Sequence, residues 1–408
     1  MNKYIISLFA TTILVSSLNA DNKKVNSLDE YLKSIEISGD LRLGYLSYDY
    51  NNEKALGEKN SYETAIGGVV RFNFPIYKDN ISMTLSPYFS KSFSELSNDN
   101  LLSDYKTFAS IDSDFMFLGE ASLNLSYEDI SFVLGRQIIN TPLMGDDDMR
   151  LTPQTFQGAM LNYKVNDFSF YVGYFDKWQG YDAGLLSVEN KNFNEFQKMG
   201  TKDSSGTALF GTEFKKELSF SNIFSRAYYY DIDKYSKVFY LDTNFNNQIN
   251  NDLSTDISFQ YSNQSEDRNS GVDGFLYGTM LSLTYKDLYV AAAYTKSSLD
   301  KEKSLFTGFG GEFFYTAMNE WSMGNLSGGY DEDALGLYTS YDITNKLNFS
   351  FYTTTYETDV DEVKENDYMI SYSFNDNLNI EAMYFDINDE KDSDNSYDIF
   401  LSRLIYKF

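Results

Sequence analysis

Tyr397-Asp398-Ile399-Phe400-Leu401-Ser402-Arg403-Leu404-Ile405-Tyr406-Lys407-Phe408 is an alternating stretch that stops on an aromatic carboxyl terminus. Phe400, Leu404, Tyr406 and Phe408 share one face, and Leu401, Arg403, Ile405 and Lys407 the other, because successive side chains of a strand point to opposite sides. A strand that runs out on its last residue leaves no room for a following element. Membrane barrels close in this way: the last strand pairs with the first, and no edge stays open. The stretch predicts an all-β fold, a transmembrane antiparallel β-barrel. Arg403 then faces a lumen, while Phe400, Leu404 and Phe408 face lipid.

The other end of the chain fits an exported protein. Residues 1–20 read as a signal peptide, with Lys3 as the basic start, an apolar run from Ile5 to Val15, and cleavage after Ala20. That run is too short for a spanning helix, and no later window approaches the ~20 apolar residues that one needs. Residues 21–34 form a leader or a short periplasmic helix, with Ser27-Leu28-Asp29-Glu30 at capping-box spacing. The barrel is expected over 35–408.

Composition agrees. The chain carries 35 Tyr and 33 Phe, the load that aromatic girdles at two membrane interfaces require. A soluble sandwich of this length would need two or more domains with linkers, and no Pro-rich or Ser-rich break divides the sequence. The formal net charge is −27, which excludes nucleic acid as a partner, since phosphate binding needs basic patches. Acid gathers between the strands, as at Asp146–Asp148, Asp331–Asp333, Asp359–Glu365 and Asp386–Asp394. Such runs suit solvated loops, or contact with lipopolysaccharide headgroups through divalent cations.

Period-two alternation recurs through the mature chain and gives eighteen candidate strands. Their connections alternate in length. Tyr77–Asn80, Tyr127–Ile130, Val165–Phe168, Tyr285–Leu288, Asp342–Lys346 and Phe374–Leu378 are short. Between them lie mostly long ones, such as 94–113, 139–155, 178–205 and 299–331. Short periplasmic turns and long extracellular loops are the pattern of outer-membrane barrels. One connection, 233–234, is short on the long side. Leu288 to Tyr294 is apolar on both faces, which suggests a subunit contact or a loop folded inward against it.

The chemistry available is limited. The sequence contains no His and no Cys, which removes His-dependent catalysis, thiolate nucleophiles and disulfides. The expectation is a channel, not an enzyme. Seven Arg occur. Arg42 between Leu41 and Leu43, Arg71 between Val70 and Phe72, and Arg403 between Ser402 and Leu404 are expected to point into the lumen; Arg136 is read as a further lining residue. Residues 135–158 hold two of the four Pro, two Arg and three consecutive Asp. Asp146, Asp147 and Asp148 could bind calcium through oxygen ligands, with Asp331–Asp333 as a weaker second candidate. Otherwise no cofactor is implied.

This stretch, with its Gly135-Arg136, Thr141-Pro142, Asp148-Met149-Arg150 and Pro153-Gln154-Thr155-Phe156-Gln157-Gly158 series, resembles OprD-type porins. Leu28 to Arg42 is similar to the mature start of the major outer-membrane porins of Campylobacter-like bacteria. The resemblance implies an eighteen-stranded barrel with inward-folded loops, diffusion of small hydrophilic solutes, and Arg150 facing the pore. The family's dense basic ladder is not evident here. The expected constriction sets Arg42, Arg71 and Arg150 against Asp146, Asp147 and Asp148, with Phe306, Phe309, Phe313, Phe314 and Tyr315 anchoring a second loop. The expected surroundings are outer-membrane lipid and lipopolysaccharide, and the barrel is expected as a monomer or homotrimer. The competing reading is a structural or adhesive barrel with little conductance.

Overall fold

The computed structural model describes residues 28–78, 80–99, 101–102, 114–185, 189, 195–219, 221–300, 302–311, 314–326 and 329–408. The signal peptide, Ser27 and Phe313 lie outside the described residues. A six-residue helix, Leu28–Lys33, precedes the first strand.

The strands, in chain order, are β1 Glu36–Tyr50, β2 Ser61–Tyr77, β3 Ile81–Ser92, β4 Asp114–Tyr127, β5 Ile130–Gln137, β6 Thr155–Val165, β7 Phe168–Gln179, β8 Gln197–Lys198, β9 Thr207–Glu217 and β10 Asn222–Ile232. They continue with β11 Ser236–Asn250, β12 Leu253–Glu266, β13 Gly274–Tyr285, β14 Leu288–Ser298, β15 Asp333–Thr344, β16 Leu347–Glu357, β17 Glu362–Ser373, β18 Leu378–Asp389 and β19 Tyr397–Lys407. β8 is a two-residue piece of a loop that pairs with the end of β7. The other eighteen form one closed antiparallel barrel, each pairing with its neighbours in sequence.

Closure falls where the terminal stretch predicts it. β1 and β19 pair in register from Asp40 opposite Lys407 to Tyr50 opposite Tyr397. Phe408 extends that ladder, exchanging two backbone hydrogen bonds of 3.1 Å with Gly39. Phe400, Tyr406 and Phe408 are exposed on the outer face, while Leu401 and Arg403 are buried within. Tyr368, Ile370 and Tyr372 on β17, and Phe374 just after it, are likewise exposed, which places an apolar belt against lipid. Ser258, Gln260, Ser262 and Gln264 of β12 turn inward.

The short turns carry the backbone strain of tight reversals. Left-handed φ falls on Lys78, Glu128, Asn166 and Lys286, the first turn residue in each case. The neighbouring Asp contributes its backbone carbonyl, as at Asp129, Asp167 and Asp287, to the adjacent strand or turn. The short connection around 233–234 is real, with Lys234 left-handed. The doubly apolar stretch of β14 is also explained. Ala291 and Ala293 face inward and are covered, opposite Tyr338 and Gly336. The Tyr338 hydroxyl donates to the Tyr315 carbonyl of an inward-folded loop at 3.1 Å.

Candidate pore constriction

Among the described residues, two extracellular connections pair with each other inside the barrel. Residues 138–154 form the shorter loop and residues 299–332 the longer. They pair backbone to backbone: Phe309 N–H donates to Leu143 at 2.6 Å, and Gly145 N–H donates to Phe309 at 3.2 Å. Contact this close needs glycine, because a Cβ on Gly145 would stand 2.2 Å from the Gly310 carbonyl oxygen. Aromatic side chains seat the longer loop. Phe309 packs edge-on against Trp178 with centroids 4.9 Å apart, and Phe306 against Phe309 at 4.8 Å. Phe306, Phe309 and Phe314 are buried, so this loop is anchored by packing as its sequence suggests.

The shorter loop is clamped by arginines of the two strands that close the barrel. Arg42 on β1 holds both oxygens of Asp148, at 2.5 and 2.9 Å, and also pairs with Asp40. Its Nη1 donates to the Arg150 carbonyl at 3.3 Å. Arg403 on β19 donates to the same carbonyl at 2.9 Å and to the carbonyl of Asp148, and its Nε pairs with Glu381 of β18. Bidentate geometry of this kind fixes orientation as well as charge. Leu151 then drops against the wall at Gly67, where a Cβ would lie 2.9 Å from its own Cβ.

The expected residues therefore come together with changed partners. Arg42 meets Asp148. Arg71 instead pairs with Glu120 of β4 at 2.8 Å. Glu120 faces inward because β4 bulges at Gly119, where the register with β3 shifts; a bulge re-aims every side chain beyond it. Period-two reading cannot see such a shift, and so it missed Glu120. Arg226, with Asp242 at 2.8 Å, is a second lumen pair that the sequence reading passed over.

Arg136 is a correction. It stands opposite Ala121 and Gln157, on the parity of the exposed Leu134 and Leu161, while its neighbour Gln137 is buried within. It thus lies on the outer face of the wall. There it stacks on Phe196, 4.2 Å to the ring centroid, and donates to the Leu118 carbonyl at 2.9 Å. β5 runs its last lumen-facing side chain at Gln137, so one residue of phase decides the side.

Arg150 occupies the junction of the loops. Its guanidinium lies 3.8 Å from the centre of the Tyr181 ring and donates to the Tyr48 hydroxyl at 3.1 Å. It lines a cavity of about 310 Å³ bounded only by loop and loop-helix residues, including Asp147, Asp182, Asn319 and Glu320. Burial pushes the Asp182 and Asp146 carboxyls up from the ordinary range, and Asp148 adds to the shift at Asp146. Burial likewise raises Glu320 to about 7, against the opposing pull of Arg150.

The calcium expectation finds a different arrangement. Asp148 is committed to Arg42, and among the described residues no group of three carboxylates gathers to hold a metal. Asp331, Glu332 and Asp333 diverge, taking the Leu299 N–H, the Gly324 N–H and Lys296 respectively.

A closed eighteen-strand barrel with two loops crossing its lumen defines an outer-membrane porin. The sequence model of the OprD family of outer membrane porins matches residues 94–323, more than half of the chain, and the protein belongs to that family. It is an outer-membrane channel for small solutes. Solved structures show the same fold. The Pseudomonas aeruginosa outer membrane protein OpdK is 15% identical and aligns over 93% of this chain and 99% of its own, with a TM-score of 0.74. Acinetobacter baumannii OccAB4 is 15% identical over 92% and 98%, at 0.76. Pseudomonas aeruginosa OccK8 (OprE) is 14% identical over 92% and 98%, at 0.73. No functionally curated protein matches the sequence.

Proposed function

We propose that small polar solutes cross this channel by passive diffusion through the lumen narrowed by the two loops, and that the pore favours cations. One observation carries the preference. The lumen-facing arginines of the wall, Arg42, Arg71, Arg226 and Arg403, each sit against a carboxylate. The cavity between the loops then sets Arg150 against Asp147, Asp182 and Glu320. Selectivity follows the net charge of such linings, and here the balance is negative. The acidic extracellular connections reinforce it by concentrating cations at the mouth.

The test is the reversal potential of the purified protein in a planar bilayer under a potassium chloride gradient. A potential of the sign set by potassium supports the proposal; one set by chloride refutes it. A structural or adhesive barrel would conduct almost nothing, and nothing in the family or the fold favours that reading. Without His or Cys, we assign the protein no catalysis. No resident cofactor is invoked, since calcium at Asp146–Asp148 would have to displace Arg42. The apolar belt belongs in outer-membrane lipid, with lipopolysaccharide against the acidic loop side. Each barrel builds its own constriction, so a monomer suffices, and a homotrimer would be three parallel pores.

A further inference from the structure

The longer loop is held at Phe306 and Tyr315 by the buried amides of Gln264 and Gln260 on β12, and over 316–321 by carboxyl and phenol groups. Glu365 of β17 is fully buried and accepts two loop backbone donors, Glu320 N–H at 3.0 Å and Trp321 N–H at 2.8 Å. Asp367, two residues on and on the same face, is also fully buried and takes the Asn319 side chain at 2.6 Å. The Trp321 indole donates to the Tyr397 hydroxyl at 3.0 Å. The Tyr356 hydroxyl reaches the carbonyls of Thr316 at 2.6 Å and Trp321 at 2.8 Å.

No cation lies within ion-pair distance of Glu365, Asp367 or Glu320 among the described residues. The Glu365 and Asp367 carboxyls are within hydrogen-bonding reach of each other, yet Oδ1 of Asp367 has no donor. Two adjacent buried carboxylates cannot both stay ionised. A proton between them supplies the missing donor.

We propose that Glu365, Asp367 and Glu320 form a proton-held latch that fixes the 316–321 segment of the longer loop against the wall and releases that segment as the proton is lost. The groups facing Glu320 are Arg150 from the shorter loop, Asp182 and Tyr181 from the helix Tyr181–Leu185, Tyr48 from β1, Tyr397 from β19 and Asp367 from β17. Tyr356 and Tyr338 face Glu365. Arg150 is the single cation in that set. Glu320, raised to about 7 by burial, supports the direction. A carboxyl that is raised in the latched state favours that state fully below its ordinary value. The advantage falls as pH rises from that value towards about 7 and is gone above it. No electron moves; one proton passes to water.

The inference rests on the loop-narrowed pore proposed above. The test is amide hydrogen exchange at Glu320 and Trp321 in the intact barrel, corrected for intrinsic rate, at pH 5 and pH 8. Protection should fall by about a hundredfold, tenfold for each pH unit between 5 and 7 for one linked proton. Glu320→Gln, which leaves the barrel wall untouched, and neutral Glu365→Gln/Asp367→Asn, which removes the shared proton site, should each flatten the pH dependence. Equal protection at both pH values, or the same fall in the double variant, overturns the latch. Bilayer conductance is recorded in parallel. Absent conductance would sink the pore reading, while exchange alone decides the latch.

Discussion

The two inward loops are fastened by opposite chemistries. The shorter is gripped by Arg42 and Arg403, cations from the strands that close the barrel, which hold the 148–150 segment by carboxylate and carbonyl alike. The longer is held at its base by the amides of Gln264 and Gln260, and over its 315–321 segment by Glu365, Asp367 and three phenols, Tyr338, Tyr356 and Tyr397. Guanidinium stays charged at any accessible pH, so the first fastening is permanent. Carboxyl groups without cations depend on protons, so the second is conditional. The lumen thus has one fixed loop and, in the 316–321 segment of the other, one adjustable stretch.

Breaking the fixed side should have the largest effect. Arg42→Gln/Arg403→Gln strips the shorter loop of its wall donors and leaves Asp40, Asp148 and Glu381 without partners. Removing one side of a buried pair costs about 3–5 kcal/mol, less here because Asp148 is partly exposed. The loop should detach, single-channel conductance should rise, and cation preference should sharpen. Unchanged conductance with intact heat-resistant barrel would show that the clamp does not set the bore.

A smaller effect is expected on the adjustable side. Tyr356→Phe removes the one hydroxyl that reaches both Thr316 and Trp321 carbonyls. The Trp321 carbonyl keeps the Met318 N–H at 2.8 Å, but leaving the buried Thr316 carbonyl unpaired costs about 1–3 kcal/mol. Exchange at the amides of the 316–321 segment should quicken at every pH, with the barrel amides unchanged. Equal rates in wild type and variant would remove Tyr356 from the fastening.

The lumen pairs offer a finer test. Arg71→Gln and Glu120→Gln each leave a lone charge of opposite sign at one place. Their reversal potentials should shift by a few millivolts in opposite directions, since rings of lining charge set selectivity. Shifts of the same sign would mean that the pair lies off the ion path.

Nearly all of the barrel was legible in the sequence, because strand alternation and turn-length alternation are local and redundant. The terminal strand, its phase and its partner follow from Phe400 to Phe408 alone. The clamp was half legible: Arg42 and Asp148 were both singled out, while the carbonyls that Arg403 holds carry no sequence signal. Glu120 was hidden by the bulge at Gly119. The latch was hidden more deeply. Glu365 sits in an acidic run that reads as loop surface, and β17 begins at Glu362, earlier than the alternation suggests. Its inward face continues the parity of Asp367, Met369 and Ser371, but its partners in the 319–321 segment lie forty-odd residues away in sequence, and no spacing records that.

Arg136 isolates the smallest expected effect. It belongs to the same stretch as Arg150, and its sequence setting predicts a pore-lining residue, yet the structure places it on the outer wall against Phe196. Arg136→Gln should leave conductance and reversal potential unchanged, because the barrel wall and the lumen pairs screen it from the ion path. Its cost should appear in stability instead. The guanidinium loses its stack on Phe196, worth about 0.5–2 kcal/mol depending on desolvation, and its bond to the Leu118 carbonyl. Thermal unfolding should therefore move while the channel does not. A reversal potential that shifts with Arg136→Gln as far as with Arg71→Gln would put Arg136 back in the lumen and overturn the phase assigned to β5.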